Sequence, residues 1–201
     1  FSFKYRTMLG RLLSLFQAID SRGATQVGGR VWKVMRFYPE GGSIPEHADS
    51  FHLQLRVVCI IMDDAELDAA VEGAFRAAYS NQGQICLCGS RILVHESKMD
   101  EVTSRLQKRI NEMVLGDPLE ESTMMGSLVS ESHLKKVEAC LQTARDEGGE
   151  ILIGGERRSP EGRCSSGYFL TPALIRGLPH SAETNQQEIF GPVATLTPFA
   201  S

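Results

Sequence analysis

From residue 57 onward, short apolar runs alternate with longer segments whose apolar residues recur at helical spacing. Residues 57–62 form a short, continuous apolar run, which predicts a buried strand. Similar runs predict strands over residues 92–94, 151–153, 168–175 and 193–198. Helices are predicted between them, over residues 63–80, 99–114 and 131–146. This alternation is typical of an α/β fold with a parallel sheet, because parallel strands need long connections.

The first 56 residues show this alternation less clearly. Helical spacing predicts a helix over residues 1–20, and residues 31–37 are compatible with a strand. Glycines and prolines in residues 38–45 predict a loop, where a domain boundary would fall. Because the regular alternation of strands and helices begins at residue 57, we divide the chain into a segment 1–56 and a domain 57–201. Because the chain begins at Phe rather than Met and stops without a terminating signal, we expect a fragment, truncated at both ends, or an incomplete gene model.

The composition is that of an ordinary globular protein, with 42% hydrophobic and 23% charged residues. A net charge of -4 and the lack of a basic run argue against a nucleic-acid partner. No apolar run reaches the roughly 20 residues that span a bilayer, and no signal peptide is recognisable. The five cysteines are odd in number and irregularly spaced, which fits a reducing compartment. We predict a cytoplasmic protein without a membrane partner.

Cys86 lies in a polar, glycine-containing loop between a predicted helix and a predicted buried strand. Backbone N–H groups in such a loop can hold an oxyanion, which a thiolate needs when it attacks a carbonyl group. Two other interpretations remain open from the residues alone: a structural cysteine, or a metal clip formed with Cys88. The metal clip lacks further ligands, because no second cysteine pair or histidine pair lies nearby. We predict no metal site.

The pattern Asn-x-Gly-Gln-x-Cys at residues 81–86, followed by Ser90 and Arg91, resembles the active-site signature of the aldehyde dehydrogenase superfamily. Four further segments resemble motifs of this family in the same order. They are residues 61–68, residues 116–118 with 126–128, residues 167–172, and residues 188–193 with the sequence Glu-Ile-Phe-Gly-Pro-Val. The resemblance covers residues 60–201 and implies the parallel-sheet catalytic domain of the aldehyde dehydrogenase fold.

The resemblance implies that the thiolate of Cys86 adds to an aldehyde and that NAD accepts a hydride, with NADP as the alternative cofactor. The resulting thioester would be hydrolysed to a carboxylic acid. Glu188 would bind the nicotinamide ribose and Phe190 would pack beside the nicotinamide. His133 and Lys136 would line the adenosine side of the cofactor site, although an exposed helix face explains both equally well. The partner would be a small-molecule aldehyde, and the full-length family member would be a homo-oligomer.

The sequence departs from the family pattern in three places. Ser127 replaces the usual proline of the family's Gly-Pro-Leu pattern. A count back from Cys86 places residues 52–56 where the family has Glu-Leu-Gly-Gly-Lys, which would put His52 in the position of the general base. The alternative is that the family sequence begins after this point and that residues 1 to about 55 have another origin. The glycine-containing phosphate-binding turn of the family has no counterpart in residues 1–51.

Three functions therefore compete. The first is an aldehyde dehydrogenase that uses Cys86. The second is a non-catalytic, dehydrogenase-derived fragment that acts as a structural or interaction module. The third is a cysteine hydrolase, for which His52 is the candidate base.

Overall fold

The computed structural model of the chain describes residues 31–39, 53–86 and 88–200. The predicted helix over residues 1–20 and the candidate base His52 lie outside the described residues. The described residues form a six-stranded sheet, a two-stranded sheet and four α-helices. None of these helices is long and apolar enough to cross a membrane.

The central sheet is parallel in its middle and antiparallel at both edges. In chain order, the strands are β1 (Val31–Pro39), β2 (Leu53–Ile61), β3 (Arg91–His95), β4 (Glu150–Ile153), β5 (Arg157–Arg158), β6 (Phe169–Leu170), β7 (Ala173–Arg176) and β8 (Val193–Phe199). The helices are α1 (Leu67–Tyr79), α2 (Met99–Asn111), α3 (Glu131–Asp146) and α4 (Glu183–Gln186). The large sheet has the order β1-β2-β3-β8-β7-β4, and β5 pairs with β6. The predicted α/β class with a parallel sheet is confirmed for β2, β3, β8 and β7, whereas β1 and β4 are antiparallel to their neighbours.

The predicted start of the first buried strand at residue 57 is wrong, because β2 begins four residues earlier, at Leu53. It pairs residue by residue with β1, from Val31 opposite Ile61 to Pro39 opposite Leu53. Residues 53–57 alternate apolar and polar, which is the period of a strand with two different faces. A search for continuous apolar runs misses this period. The pairing therefore makes residues 31–39 the edge strand of the six-stranded sheet.

The single strand predicted over residues 168–175 is wrong, because the structure divides it at Pro172 into β6 and β7. Proline has no N–H to donate to a sheet, so a strand rarely continues through it. The N–H of Thr171 donates to the carbonyl of Glu156 at 2.8 Å, whereas the N–H of Ala173 donates to that of Pro192 at 2.8 Å. The chain therefore passes from the small sheet to the large sheet at this proline.

Helices cover both faces of the large sheet. Helices α1 and α2 pack with the buried residues Ala194 and Leu196 of β8. Helix α3 packs on the opposite face with Val193 of the same strand. Alternate residues of a strand point to opposite faces, so β8 contributes to both hydrophobic cores. The α3 residues in the second core are Leu134, Val137, Leu141 and Ala144.

The parallel pairing of β3 with β8 determines where the loops of the fold meet. Arg91, the first residue of β3, lies opposite Thr195 of β8. Because the two strands are parallel neighbours, the segments that lead into them reach the same edge of the sheet. These segments are residues 80–90 and 187–192, which contain Cys86 and Glu188.

Substitution of Tyr79, at the end of α1, tests the packing at this edge of the sheet. Its side chain is 2% exposed, and its hydroxyl donates to the carbonyl of Ala173 at 2.9 Å. Burial raises the pKa of Tyr79, so the hydroxyl stays a donor. We expect Tyr79→Phe to lower the free energy of unfolding by about 1–2 kcal/mol, because a buried carbonyl loses its partner. Urea denaturation measures this loss.

Tyr168→Phe is the matched control, because it removes the same hydroxyl from an exposed ring. It should change the free energy of unfolding by less than about 0.5 kcal/mol. Equal losses for the two variants would contradict the role assigned to the buried hydrogen bond.

Candidate active site

Cys86 lies within a tight turn between α1 and β3. The N–H of Cys88 donates to the carbonyl of Ile85 at 2.9 Å, which closes a four-residue turn around Cys86. The side chain of Cys86 is exposed, and that of Cys88 is partly buried. The thiol of Cys86 is therefore accessible to a small molecule in solution.

Three consecutive residues before this turn have left-handed backbone angles. The φ values are 49° at Asn81, 58° at Gln82 and 69° at Gly83. A residue with a Cβ pays about 1–2 kcal/mol for this conformation, so the surrounding structure must stabilise it. The side-chain amide of Asn81 contributes by donating to the carbonyl of Gln84 at 3.2 Å.

The two glutamines of the signature attach the loop to residues 126–129. The side-chain oxygen of Gln84 accepts from the N–H of Val129 at 3.2 Å. With the amide of Gln82 oriented so that its oxygen faces Gly126, this oxygen accepts from the N–H of Gly126 at 3.0 Å. The signature therefore combines a cysteine with the side chains that hold its loop in place.

Ser127, which departs from the family pattern, stabilises the same segment. Its hydroxyl donates to the carbonyl of Leu128 at 2.8 Å and accepts from the N–H of Tyr168 at 2.9 Å. Proline could form neither hydrogen bond, so the serine replaces a rigid residue with a pair of specific contacts.

The Cys86 loop and the Glu188 loop touch through two glycines. A Cβ added to Gly83 would lie 2.1 Å from the carbonyl oxygen of Gly191. A Cβ added to Gly191 would lie 2.7 Å from a methyl carbon of Val137 in α3. No side chain fits at either position without displacing its neighbours, so both loops depend on glycine there.

The structure brings His133 into contact with Phe190. Nε2 of His133 lies 2.7 Å from the carbonyl oxygen of Phe190, and the two rings meet edge to face with centroids 6.2 Å apart. A carbonyl oxygen only accepts, so Nε2 carries the proton and donates. Phe190 has a φ of 58° and is 38% exposed. Its exposed ring and its strained backbone are both unusual for a phenylalanine.

The other predicted cofactor residues lie near this contact without joining it. Glu188 is partly buried and forms no ion pair with the part of the chain that the structure describes. Lys136 is exposed on α3, one turn from His133, and makes no hydrogen bond to Glu188 or Phe190. Cys86 makes no direct hydrogen bond to Glu188. Within the described ranges, no group of three or more His, Cys, Asp or Glu residues could hold a metal ion.

Two residues that sequence reasoning missed anchor the segment before Glu188. The carboxylate of Glu147, at the end of α3, accepts from the N–H of Glu183 at 2.5 Å and from the hydroxyl of Thr184 at 2.7 Å. Arg91 donates to main-chain carbonyls of the same segment from the start of β3. Arg91 could have been identified from its place in the signature, whereas no sequence signal marks Glu147.

A cleft lies away from the Cys86 loop and the Glu188 loop. About 510 Å³ in volume, it opens between the end of α2, β4 and β5. None of its lining residues belongs to the Cys86 loop or the Glu188 loop. The two loops are therefore distinguished by their backbone strain and their chemistry, not by cavity size.

Comparison with known proteins agrees with this architecture. The model of the "Aldehyde dehydrogenase family" matches residues 56–201. The chain belongs to the aldehyde dehydrogenase family. It is 38% identical over 141 residues to 4-trimethylaminobutyraldehyde dehydrogenase from Oryzias latipes and 37% identical to the corresponding A enzyme from Danio rerio. These alignments cover 70% of this chain and 28% of each relative.

Solved aldehyde dehydrogenase structures share the fold. Betaine aldehyde dehydrogenase from Staphylococcus aureus, solved in complex with NAD+, matches with 36% identity and a TM-score of 0.68. A mutant aldehyde dehydrogenase from Bacillus cereus matches with 36% identity and a TM-score of 0.66. Each comparison covers 71% of this chain and 28% of the other chain. The predicted family and fold are thus confirmed, and the chain spans about 28% of the length of these relatives.

Substitution of Gly83 tests whether the contact between the two loops is essential for the stability of the fold. We expect Gly83→Ala to lower the free energy of unfolding by at least about 2 kcal/mol, from overpacking and from strain at positive φ. The rate at which iodoacetamide labels Cys86 should change as well, because the loop moves. Gly73→Ala is the control, since no atom lies within 4 Å of its added Cβ. It should stabilise α1 by about 0.5–1 kcal/mol, and similar effects of both variants would contradict the proposed close contact.

The hydrogen bonds of Glu147 predict that the stability of the fold depends on pH. The hydroxyl of Thr184 and the N–H groups of Glu183 and Thr184 lower the pKa of Glu147 below its ordinary value of 4.5. A lowered pKa stabilises the fold at neutral pH, and this stabilisation is lost as the pH falls through the lowered pKa. Glu147→Gln should therefore be less stable than the unchanged chain at pH 7, with a gap that closes in acid. Thermal unfolding from pH 7 downward measures it.

Glu121→Gln removes the same charge from an exposed side chain and is the control for this titration. At pH 7 this variant should change the free energy of unfolding by less than about 0.5 kcal/mol. A gap for Glu147→Gln that stays constant from neutral to acidic pH would refute the assignment.

Proposed function

We propose that the chain carries the nucleophile and the nicotinamide-facing residues of an NAD-dependent aldehyde dehydrogenase, which oxidises an aldehyde to a carboxylic acid. The observation that carries the proposal is the position of backbone strain. Among the described residues, the non-glycine residues with positive φ are Asn81, Gln82 and Phe190. All three lie in the two loops that meet at Gly83 and Gly191. Strained backbone at one location is typical of functional sites.

Cys86 is the proposed nucleophile because its thiol is exposed in this strained loop. The thiolate forms a C–S bond to the carbonyl carbon of the aldehyde, and the carbonyl π electrons move to oxygen to give a thiohemiacetal oxyanion. The N–H of Cys86 has no carbonyl acceptor among the described residues and can donate to this oxyanion. Loss of a hydride from the same carbon leaves a thioester on Cys86. Water then cleaves the C–S bond to release the acid and the thiol.

The residues near Phe190 fit a nicotinamide cofactor, which supplies the hydride acceptor when it is bound. The partly buried carboxylate of Glu188 has no ion pair within the described ranges and suits ribose hydroxyl groups. The exposed ring of Phe190 offers an apolar surface beside which a nicotinamide ring can pack. We propose that Lys136 lies toward the adenosine side; His133, for which the family resemblance implies the same side, contacts Phe190 through its ring and Nε2. NAD is preferred over NADP because the similar bacterial enzyme was solved with NAD+.

The substrate class is proposed more broadly than any one relative's name. The similar proteins are named for 4-trimethylaminobutyraldehyde and betaine aldehyde. The residues around Cys86 resemble instead the branch that contains 2-aminomuconic semialdehyde dehydrogenase. We therefore propose a small-molecule aldehyde as substrate. We also propose a cytoplasmic location, which the cysteine usage supports, and a homo-oligomeric assembly for the full-length family member, which the family resemblance supports. The role of His52 as the base that activates water stays a prediction.

Substitution of the cysteines tests the proposed function. At saturating NAD, the unchanged chain should form NADH and acid from an aldehyde. Cys86→Ser should slow this reaction at least about a thousandfold, because it removes the nucleophile. Cys88→Ser changes a cysteine two residues away and should leave the rate close to that of the unchanged chain. NADH absorbance follows the reaction, and circular dichroism checks that each variant folds.

The same experiment separates the competing functions. A folded chain that forms no NADH and binds no NAD in calorimetry would overturn the enzyme proposal and favour the structural or interaction module. Ester hydrolysis that depends on Cys86, in a folded chain that neither binds NAD nor forms NADH from an aldehyde, would favour the cysteine hydrolase.

A further inference from the structure

We propose that Arg91 and His133 are positioning residues that clamp the main chain of residues 185–190 from both ends. These contacts orient Glu188, which lies between the two anchored points, and Phe190, which is itself the second anchored point. The inference rests on the proposed function, because it concerns how that cofactor site keeps its shape.

Arg91 forms the first half of the clamp. Its Nε donates to the carbonyl of Asn185 at 2.6 Å, and its Nη2 donates to the carbonyl of Gln187 at 2.6 Å. These carbonyls lie at and just beyond the end of α4, which is a single turn long. Carbonyls at a helix end lack intrahelical partners, so a donor from another element must satisfy them. The planar guanidinium can meet both at once, which a lysine ammonium cannot do with the same geometry.

His133 forms the second half. It belongs to the first turn of α3, where its N–H donates to the hydroxyl of Ser130 at 3.2 Å. Its Nε2 donates to the carbonyl of Phe190 at 2.7 Å. Phe190 has a φ of 58°, a conformation that a phenylalanine does not keep without external support. The sequence resemblance placed His133 at the cofactor itself, whereas its contact in the structure is with the protein main chain.

Glu188 lies between the two anchors. One residue before it, Gln187 is bound by Arg91, and two residues after it, Phe190 is bound by His133. The Glu188 carboxylate forms no ion pair with the described residues, so its direction is set by the main chain that carries it. Because Arg91 begins β3 directly after the Cys86 loop, the same arginine connects the nucleophile's element to the Glu188 segment.

Amide hydrogen exchange tests the clamp without relying on activity. The N–H groups of residues 185–187 donate to the carbonyls of Ala182 and Glu183, so their exchange reports on opening of this turn. Arg91→Met should speed this exchange about tenfold for each hydrogen bond lost, and Arg91→Lys should have a smaller effect. Arg176→Met is the matched control, because Arg176 pairs with Glu150 at 2.7 Å on a different part of the sheet. It should leave the exchange of residues 185–187 unchanged.

The His133 variants separate the donor from the ring. His133→Phe keeps an aromatic ring but removes the donor, whereas His133→Gln keeps a donor without the ring. If the hydrogen bond to Phe190 positions the site, His133→Phe should weaken NAD binding in calorimetry about tenfold and raise the KM for NAD with less effect on kcat. His133→Gln should restore most of the affinity. Arg91→Met should change the two constants in the same direction as His133→Phe.

Two results would overturn the clamp. Exchange of residues 185–187 in folded Arg91→Met that equals exchange in the unchanged chain would remove the mechanical basis. Faster exchange combined with unaltered NAD affinity in all variants would show that the anchored segment does not shape the cofactor site. Failure of the proposed function looks different, because then the unchanged chain itself binds no NAD.

Discussion

The contact between Gly83 and the carbonyl of Gly191 is the constraint on which the rest of the site depends. A Cβ at Gly83 would lie 2.1 Å from that oxygen, so the two loops approach as closely as two backbones can. This approach needs glycine on one side, and the α3 side chain Val137 fills the space behind the other. The proposed nucleophile Cys86 and the proposed cofactor residues therefore share one packed unit, although about a hundred residues separate them in the sequence.

The strain in these loops is supported from several directions at once. Gln82 and Gln84 hold the left-handed turn before Cys86 through residues 126–129. Glu147 and Arg91 hold the short helix before Glu188 through its two ends. Each of these supports is a side chain that satisfies a main-chain group, and buried Ile189 adds a hydrophobic contact between the Glu188 loop and the second core. Strained backbone can persist only where such neighbours determine it.

Much of the fold is predictable from the sequence because helices and strands are marked by local patterns of apolar residues, glycine and proline. The bounds of α3 were predicted to the residue from apolar residues at helical spacing and the glycines that follow, and in the structure Ser130 caps this helix. Strand β2 was predicted too short because its first half alternates in polarity, and the division at Pro172 depends on which sheet each half joins. The anchoring by Arg91 and Glu147 could not be predicted, since it joins segments that only the tertiary fold brings together. The family motifs identified Cys86 and Glu188 without revealing what holds them.

The strand order also affects the time at which the site can form. β8 is the last strand of the described residues, yet it lies in the middle of the sheet between β3 and β7. During synthesis, β3 and the Cys86 loop leave the ribosome long before their central neighbour exists. The loop cannot adopt its final packing until Gly191 is made, because Gly83 packs against the carbonyl of Gly191, and β3 lacks its partner until β8 is made. In a nascent chain the Cys86 thiol is therefore exposed before the loop around it has folded. The Cys86 loop can reach its final structure only after nearly the whole described sequence has been made.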